Sequence, residues 1–128
     1  MEEKKLRNQL EERLIDFAAK IIAFIELLVK NQAGNHIANQ IARSSISSAL
    51  NYGEAQSAES RKDFVHKIKI VLKESRETHI ALRIIKKSKL VRNFSEVDLL
   101  ISECNELVSI FVKSVETAEK NMNKKLSI

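Results

Sequence analysis

Apolar residues recur through most of this chain at alternating steps of three and four, the period of helices that bury one side. Over residues 3–30 the series Leu10, Leu14, Phe17, Ile21, Phe24 and Leu28 traces one such stripe. Ile15, Ala18, Ile22, Ile25 and Val29 widen it, giving more apolar surface than one bundle seam covers. The run from Asn31 to Asn35 then supplies Gly34, suited to cap the first helix, and Asn35, suited to open a second. That second helix, predicted over 36–56, is built from small residues among Ile37, Ile41 and Tyr52. Its polar positions Gln40, Ser44, Ser47, Asn51 and Glu54 fall along one side, with Ala42, Ile46, Leu50 and Gly53 roughly opposite.

A third helix is expected over 61–89, opened by Ser60 with Asp63 three residues on, a variant of the capping box. Its seam is Phe64, Ile68, Val71, Leu72, His79, Leu82 and Ile85. Ser95 and Asp98 repeat the start signal, so a fourth helix is expected over 96–121, on Val97, Leu100, Ile101, Cys104, Leu107, Val108, Phe111, Val115 and Ala118. The polar tail 121–127 is expected to fray. Four helices joined by short links predict one all-α domain over residues 1–128, an antiparallel up-down-up-down four-helix bundle.

Composition supports this reading: 128 residues with no Pro and two Gly leave little material for the turns of a strand-rich fold. With no apolar run of membrane-spanning length, no signal-peptide pattern and one cysteine, the chain is expected in the cytoplasm, away from membranes. His36, His66 and His79 lack partners at metal-binding spacing, and no phosphate loop or nucleophile motif occurs. No cofactor, metal or enzymatic activity is therefore expected. Cys104 reads as a small core residue and His79 as a packing residue, with His36 and His66 outward.

Charge is unevenly placed. The net charge is +5, yet residues 61–92 hold eleven basic side chains against Asp63, Glu74 and Glu77, while the rest of the chain is acidic by three. Within that segment Lys62, Lys69, Lys73, Arg76, Arg83 and Lys87 line one flank of the third helix, interrupted by Ile80. A stripe of one sign without interleaved acids fits contact with a phosphate backbone better than a mixed solvated face would. Few aromatic residues argue against single-strand stacking platforms. A solvated or partner-facing surface is the other reading of the same stripe. Apolar positions outside the seams, Ile15, Ile22 and Val29 on the first helix and Ile70, Ile80 and Ile84 on the third, predict self-association.

Residues 40–55, QIARSSISSALNYGEA, with SRKDF at 60–64 and LKESRE at 72–77, resemble the four-helix-bundle proteins of the 23S rRNA intervening-sequence family. The match rests on Arg43, Ser44, Ser47, Asn51 and Glu54, in order and spacing, and on Asp63 with Phe64. One departure is Ser48, where many members have Pro. The resemblance implies a bacterial bundle without assigned enzymatic activity that assembles as a homopentamer. The family is also similar to the accessory variability determinant of diversity-generating retroelements, which binds nucleic acid and a reverse transcriptase. Two functions follow as expectations: a nucleic-acid-binding accessory acting on RNA or an RNA:DNA intermediate, and a scaffold that docks a protein partner. Arg43 and Glu54, ~16 Å apart along one helix, cannot pair with each other and are each expected to meet another helix or subunit.

Overall fold

A computed structural model describes residues 2–126, and their side chains as far as residue 123. It contains α1 (Glu2–Phe24), α2 (Gln32–Gln56), α3 (Arg61–Lys87) and α4 (Phe94–Leu126), with a 3₁₀ turn at Ile25–Leu27 and no strand among the described residues. Each helix lies antiparallel to the next. Arg43 meets Glu77, Ser48 meets Ser75 and Glu54 meets Lys67, so residue numbers fall along α3 as they rise along α2. Lys86 with Asp98 and Lys69 with Glu119 show the same sense between α3 and α4. Helix α3 packs against α2 and α4, and α1 against α2 and, less extensively, α4. The result is an up-down-up-down four-helix bundle.

The core draws on all four helices. Leu14, Ile21, Ile41, Ile68, Leu82, Ile85, Leu107 and Phe111 are fully buried, and Tyr52 sets its ring edge-on to Phe111 with centroids 5.5 Å apart. Each such side chain contributes about 1.5–3 kcal/mol through removal from water. Arg13 of α1 ties the bundle's far side by a two-pronged contact to Glu103, both distances 2.7 Å, with Glu106 at 3.3 Å. That pairing holds the Glu103 carboxyl below its ordinary value and raises the Arg13 guanidinium.

Helix boundaries differ from the periodicity at several places. α1 ends at Phe24 because the chain tightens into the 3₁₀ turn and Leu28 turns extended. Val29 N–H then donates to the Leu90 carbonyl at 2.8 Å, stitching this link to the one between α3 and α4. The apolar run through Leu27, Leu28 and Val29 masks that stop. Asn31, rather than Asn35, opens α2: its side chain accepts from Gly34 N–H at 2.7 Å. Gly34 therefore lies in the first turn of α2 and does not cap α1. A Cβ there would stand 1.8 Å from the Val29 carbonyl oxygen, so only glycine permits the approach. Similarly, Asn93 accepts from Ser95 N–H at 2.8 Å and starts α4 ahead of the Ser95 and Asp98 signal. α4 remains helical through Leu126; Ser127, at the end of the predicted tail, lies outside the described residues.

α3 stops two residues before its predicted end. Leu90 N–H donates to the Ile85 carbonyl at 3.1 Å and Lys89 N–H to Lys86 at 3.2 Å, the paired bonds of a Schellman motif. Such motifs usually place glycine at the left-handed position. Here Lys89 occupies it with φ of 55°, while Leu90 tucks into the core beside the helix end.

Candidate nucleic-acid interface

Lys62, Lys69, Lys73, Arg76, Arg83 and Lys87 are all exposed along α3, on the side away from its buried Val71, Ser75, Thr78, Leu82 and Ile85. Ser60 caps this helix by accepting from Asp63 N–H at 3.0 Å, and Phe64 packs half-buried against the core. Ser60 thus fixes where the basic helix begins, with Asp63 contributing its backbone amide. Lys69 reaches Glu119 of α4 at 3.2 Å. Among the described residues, no ion pair engages the other five cations. Lys67 and Lys86, outside the ridge, are tied to Glu54 and Asp98. Since α3 rises ~1.5 Å per residue, the ridge from Lys62 to Lys87 runs ~37 Å, about one turn of duplex.

The motif residues of α2 do different work. Arg43 extends to Glu74 at 3.1 Å and Glu77 at 3.4 Å, and Glu54 meets Lys67 at 3.4 Å, so both reach α3 as the spacing required. Ser47 is half-buried and accepts from the Asn51 amide at 3.1 Å within α2. Ser44 and Ser48 face α3 from buried positions. Their hydroxyls form two pairs with α3, and the donor in each follows from counting protons, because each hydroxyl has one. Thr78 donates to the Glu74 carbonyl at 2.9 Å, so at 2.6 Å Ser44 must donate to Thr78. Ser48 donates to the Ser44 carbonyl at 3.1 Å, leaving Ser75 as donor to Ser48 at 3.3 Å. Cys104 of α4 adds its thiol proton to the Ser75 carbonyl at 3.3 Å. Burial pushes that thiol up to about 12, with Glu103 adding to the rise, so Cys104 behaves as a core group.

Glu74 escaped the sequence reading although its place among Val71, Ser75 and Thr78 marks the buried side of α3. Its side chain is only 8% exposed, and Arg43 supplies its counter-charge.

Between α3 and α4 lies an open groove of about 620 Å³, lined by His79, Arg83, Lys86, Lys87, Asp98, Ile101, Ser102 and Asn105. His79 is half-buried, and burial together with Arg83 lowers its pKa, which favours the neutral ring. Lys86 sits 2.7 Å from Asp98 and 5.5 Å above the Phe94 ring. Sequence reasoning missed the groove because half its lining comes from α4, some 15 to 26 residues along the chain from His79 or Arg83. His36 and His66 are exposed and remote from it. No group of three His, Cys, Asp or Glu side chains close enough for a metal occurs among the described residues. No helix among them is long and apolar enough to cross a membrane.

Large apolar side chains are exposed on every helix, Leu6 and Leu99 among them. Ile15 and Ile22 of α1, Val29 of the link after it, and Ile80 and Ile84 of α3 are 38–53% exposed, as the pattern predicted. Ile70 is not among them, being half-buried at the edge of α3, so it drops out of that set. Ile46 and Leu50 of α2 join it, 39% and 62% exposed. α2 thus turns its serines inward and two large aliphatic residues outward.

A family model described as 23S rRNA-intervening sequence protein matches residues 7–113. No curated protein matches the chain. Among solved structures, the chain is similar to a protein with unknown function from the S23 ribosomal protein family of Bacteroides thetaiotaomicron VPI-5482. The two are 26% identical, the likeness covers 86% of this chain and 97% of that one, and the TM-score is 0.77.

Proposed function

This chain belongs to the 23S rRNA-intervening sequence protein family, and from that membership and the charge of α3 we propose a non-enzymatic, cytoplasmic accessory protein that binds folded RNA or an RNA:DNA hybrid. The observation that carries the reading is the row of exposed, unpaired cations on α3: Lys62, Lys73, Arg76, Arg83 and Lys87, with Lys69 partly offset by Glu119. A helix locked by its other side into a core holds such a row rigid, and a rigid row about one duplex turn long suits a backbone more than base edges. Discrimination then comes from shape, and little sequence preference is expected across paired regions.

Self-association belongs to the same proposal. Ile15 and Ile22 of α1, Ile46 and Leu50 of α2 and Ile80 and Ile84 of α3 leave more aliphatic surface in water than a monomer needs. One face repeated around a closed ring covers it, and five subunits is the number the family resemblance implies. A ring multiplies the α3 ridge by the number of subunits. The same aliphatic surface supports a second reading, in which the protein is a scaffold docking a protein partner such as a reverse transcriptase and the ridge is solvated.

Binding to RNA, DNA and hybrid duplexes across a salt titration separates the two. If five phosphates are neutralised per subunit, affinity falls roughly 500-fold between 50 and 200 mM salt. Lys62, Lys73 and Arg76 changed together to Glu should abolish binding while helicity and assembly mass persist. Salt-independent binding, or binding undiminished in the triple variant, would move the conclusion to the scaffold.

A further inference from the structure

The ridge is not uniform. Near its C-terminal end Arg83 and Lys87 form a wall between two hollows, the α3/α4 groove and a smaller one of about 450 Å³ floored by Ile80 and Ile84. Only the first carries hydrogen-bonding side chains from a second helix. There Ser102 and Asn105 are exposed and make no side-chain hydrogen bond among the described residues. An amide beside a hydroxyl offers donors and acceptors together, the pattern a base edge requires.

Flat groups are scarce along this protein, which narrows where a base could stack. Phe17, Phe24, Tyr52 and Phe111 are buried, Phe64 packs on the core, and Phe94 lies under Lys86. On α3 the planar groups that face the groove are the His79 imidazole and the Arg83 guanidinium, one helical turn apart. Both kinds of group stack on bases. A neutral His79 does so without adding charge to a groove already bordered by three cations. The volume of about 620 Å³ lies within the ~300–1,000 Å³ of small-molecule sites.

We propose that the α3/α4 groove takes one unpaired nucleotide per subunit, its base against His79 and Arg83 with an edge toward Ser102 and Asn105, and its phosphate on Arg83 and Lys87. This rests on the nucleic-acid reading of the ridge and adds to it a preferred target: a duplex interrupted by an extruded nucleotide. Such a nucleotide is already unstacked, so its capture costs little.

Two RNA hairpins with the same stem, one carrying a single-nucleotide bulge, test the inference by fluorescence anisotropy at one fixed salt concentration. The bulged hairpin should bind about tenfold more tightly, a preference that depends on the edge contact to Asn105 holding the base in register for stacking. Asn105→Ala and Asn105→Asp should bring the ratio of the two affinities toward one. Their melting midpoints should match the parent's, because Asn105 is exposed and holds no helix in place. Equal affinities for the two hairpins, with steep salt dependence intact, would overturn the nucleotide site and leave the ridge standing. A ratio unchanged in both Asn105 variants would overturn it as well. Absence of salt-dependent binding to either hairpin would overturn the ridge, and the groove with it.

Discussion

Each buried hydroxyl contact between α2 and α3 has a fixed donor, and at Ser44 and Thr78 that polarity predicts an order of mutational costs. Thr78 spends its only proton on the Glu74 carbonyl, so Ser44 is the donor across the 2.6 Å contact. In Thr78→Val the acceptor vanishes while shape and β-branching are kept. The Ser44 proton is left with the Ile41 carbonyl at 3.5 Å, the outer limit of a hydrogen bond, inside a site with no solvent exposure. A buried donor without a partner costs about 1–3 kcal/mol, and we expect about 2. Ser44→Ala is milder, at about 1 kcal/mol, because Thr78 keeps its donated bond and loses only an accepted one. Removing both hydroxyls leaves no orphan, so the double variant should lie within about 1 kcal/mol of the parent, with a coupling energy of about 2–3 kcal/mol. Urea unfolding followed by circular dichroism measures all four proteins, at matched concentration so that the proposed self-association contributes equally to each. The reasoning fails if Ser44→Ala costs as much as Thr78→Val, or if the two costs simply add.

Three further outcomes follow from local geometry. Lys89→Gly should raise stability by about 0.5 kcal/mol, because glycine occupies a φ of 55° without strain; a lower melting midpoint would contradict this. Arg13→Ala should cost about 1 kcal/mol at neutral pH, a figure already discounted for partial exposure. The Glu103 carboxyl is held below its ordinary 4.5, so its contribution is complete above that pH and fades as pH falls through the folded value. Parent and variant should therefore converge in acid, and a constant difference across the titration would exclude the pairing as the cause. Cys104, buried and with its thiol pushed up to about 12, should resist a bulky thiol reagent until urea unfolds the chain; stoichiometric labelling of folded protein at the rate of a free thiol would refute its burial.

Helix periodicity made the four helices and most of their buried seams legible, because burial selects one side of each helix and leaves a record in residue type. Ends were harder to read. Gly34 looked like a cap because glycine is common after helices, yet its role is a close approach to the Val29 carbonyl, visible only once α2 is placed. Asn31 and Asn93 are capping residues of ordinary type, outshone by the stronger Ser95 and Asp98 signal in one case and by Gly34 and Asn35 in the other. The polar side of α2 was legible as a stripe, and Arg43 and Glu54 could be assigned partners on other helices by length alone. Which acid would meet Arg43 was not, since Glu74 is the unusual choice of a carboxylate on the buried side of a basic helix. Asn105 and Ser102 carried no signal at all: exposed polar residues on α4 gain meaning only from the α3 side chains opposite them.

From Ser44 to Gly53, α2 carries ten consecutive residues without a formal charge, and the outward members of that run include Ile46 and Leu50. Contacts made there and contacts made on the α3 ridge answer to different solution variables. Mobile ions weaken attraction between the cations and a polyanion, whereas salts that are excluded from protein surfaces strengthen aliphatic contact. Under the proposed function ionic strength therefore works as a selector: in concentrated sulfate an assembly held by aliphatic contact should persist with the ridge stripped of polyanion, and on dilution the ridge should reload.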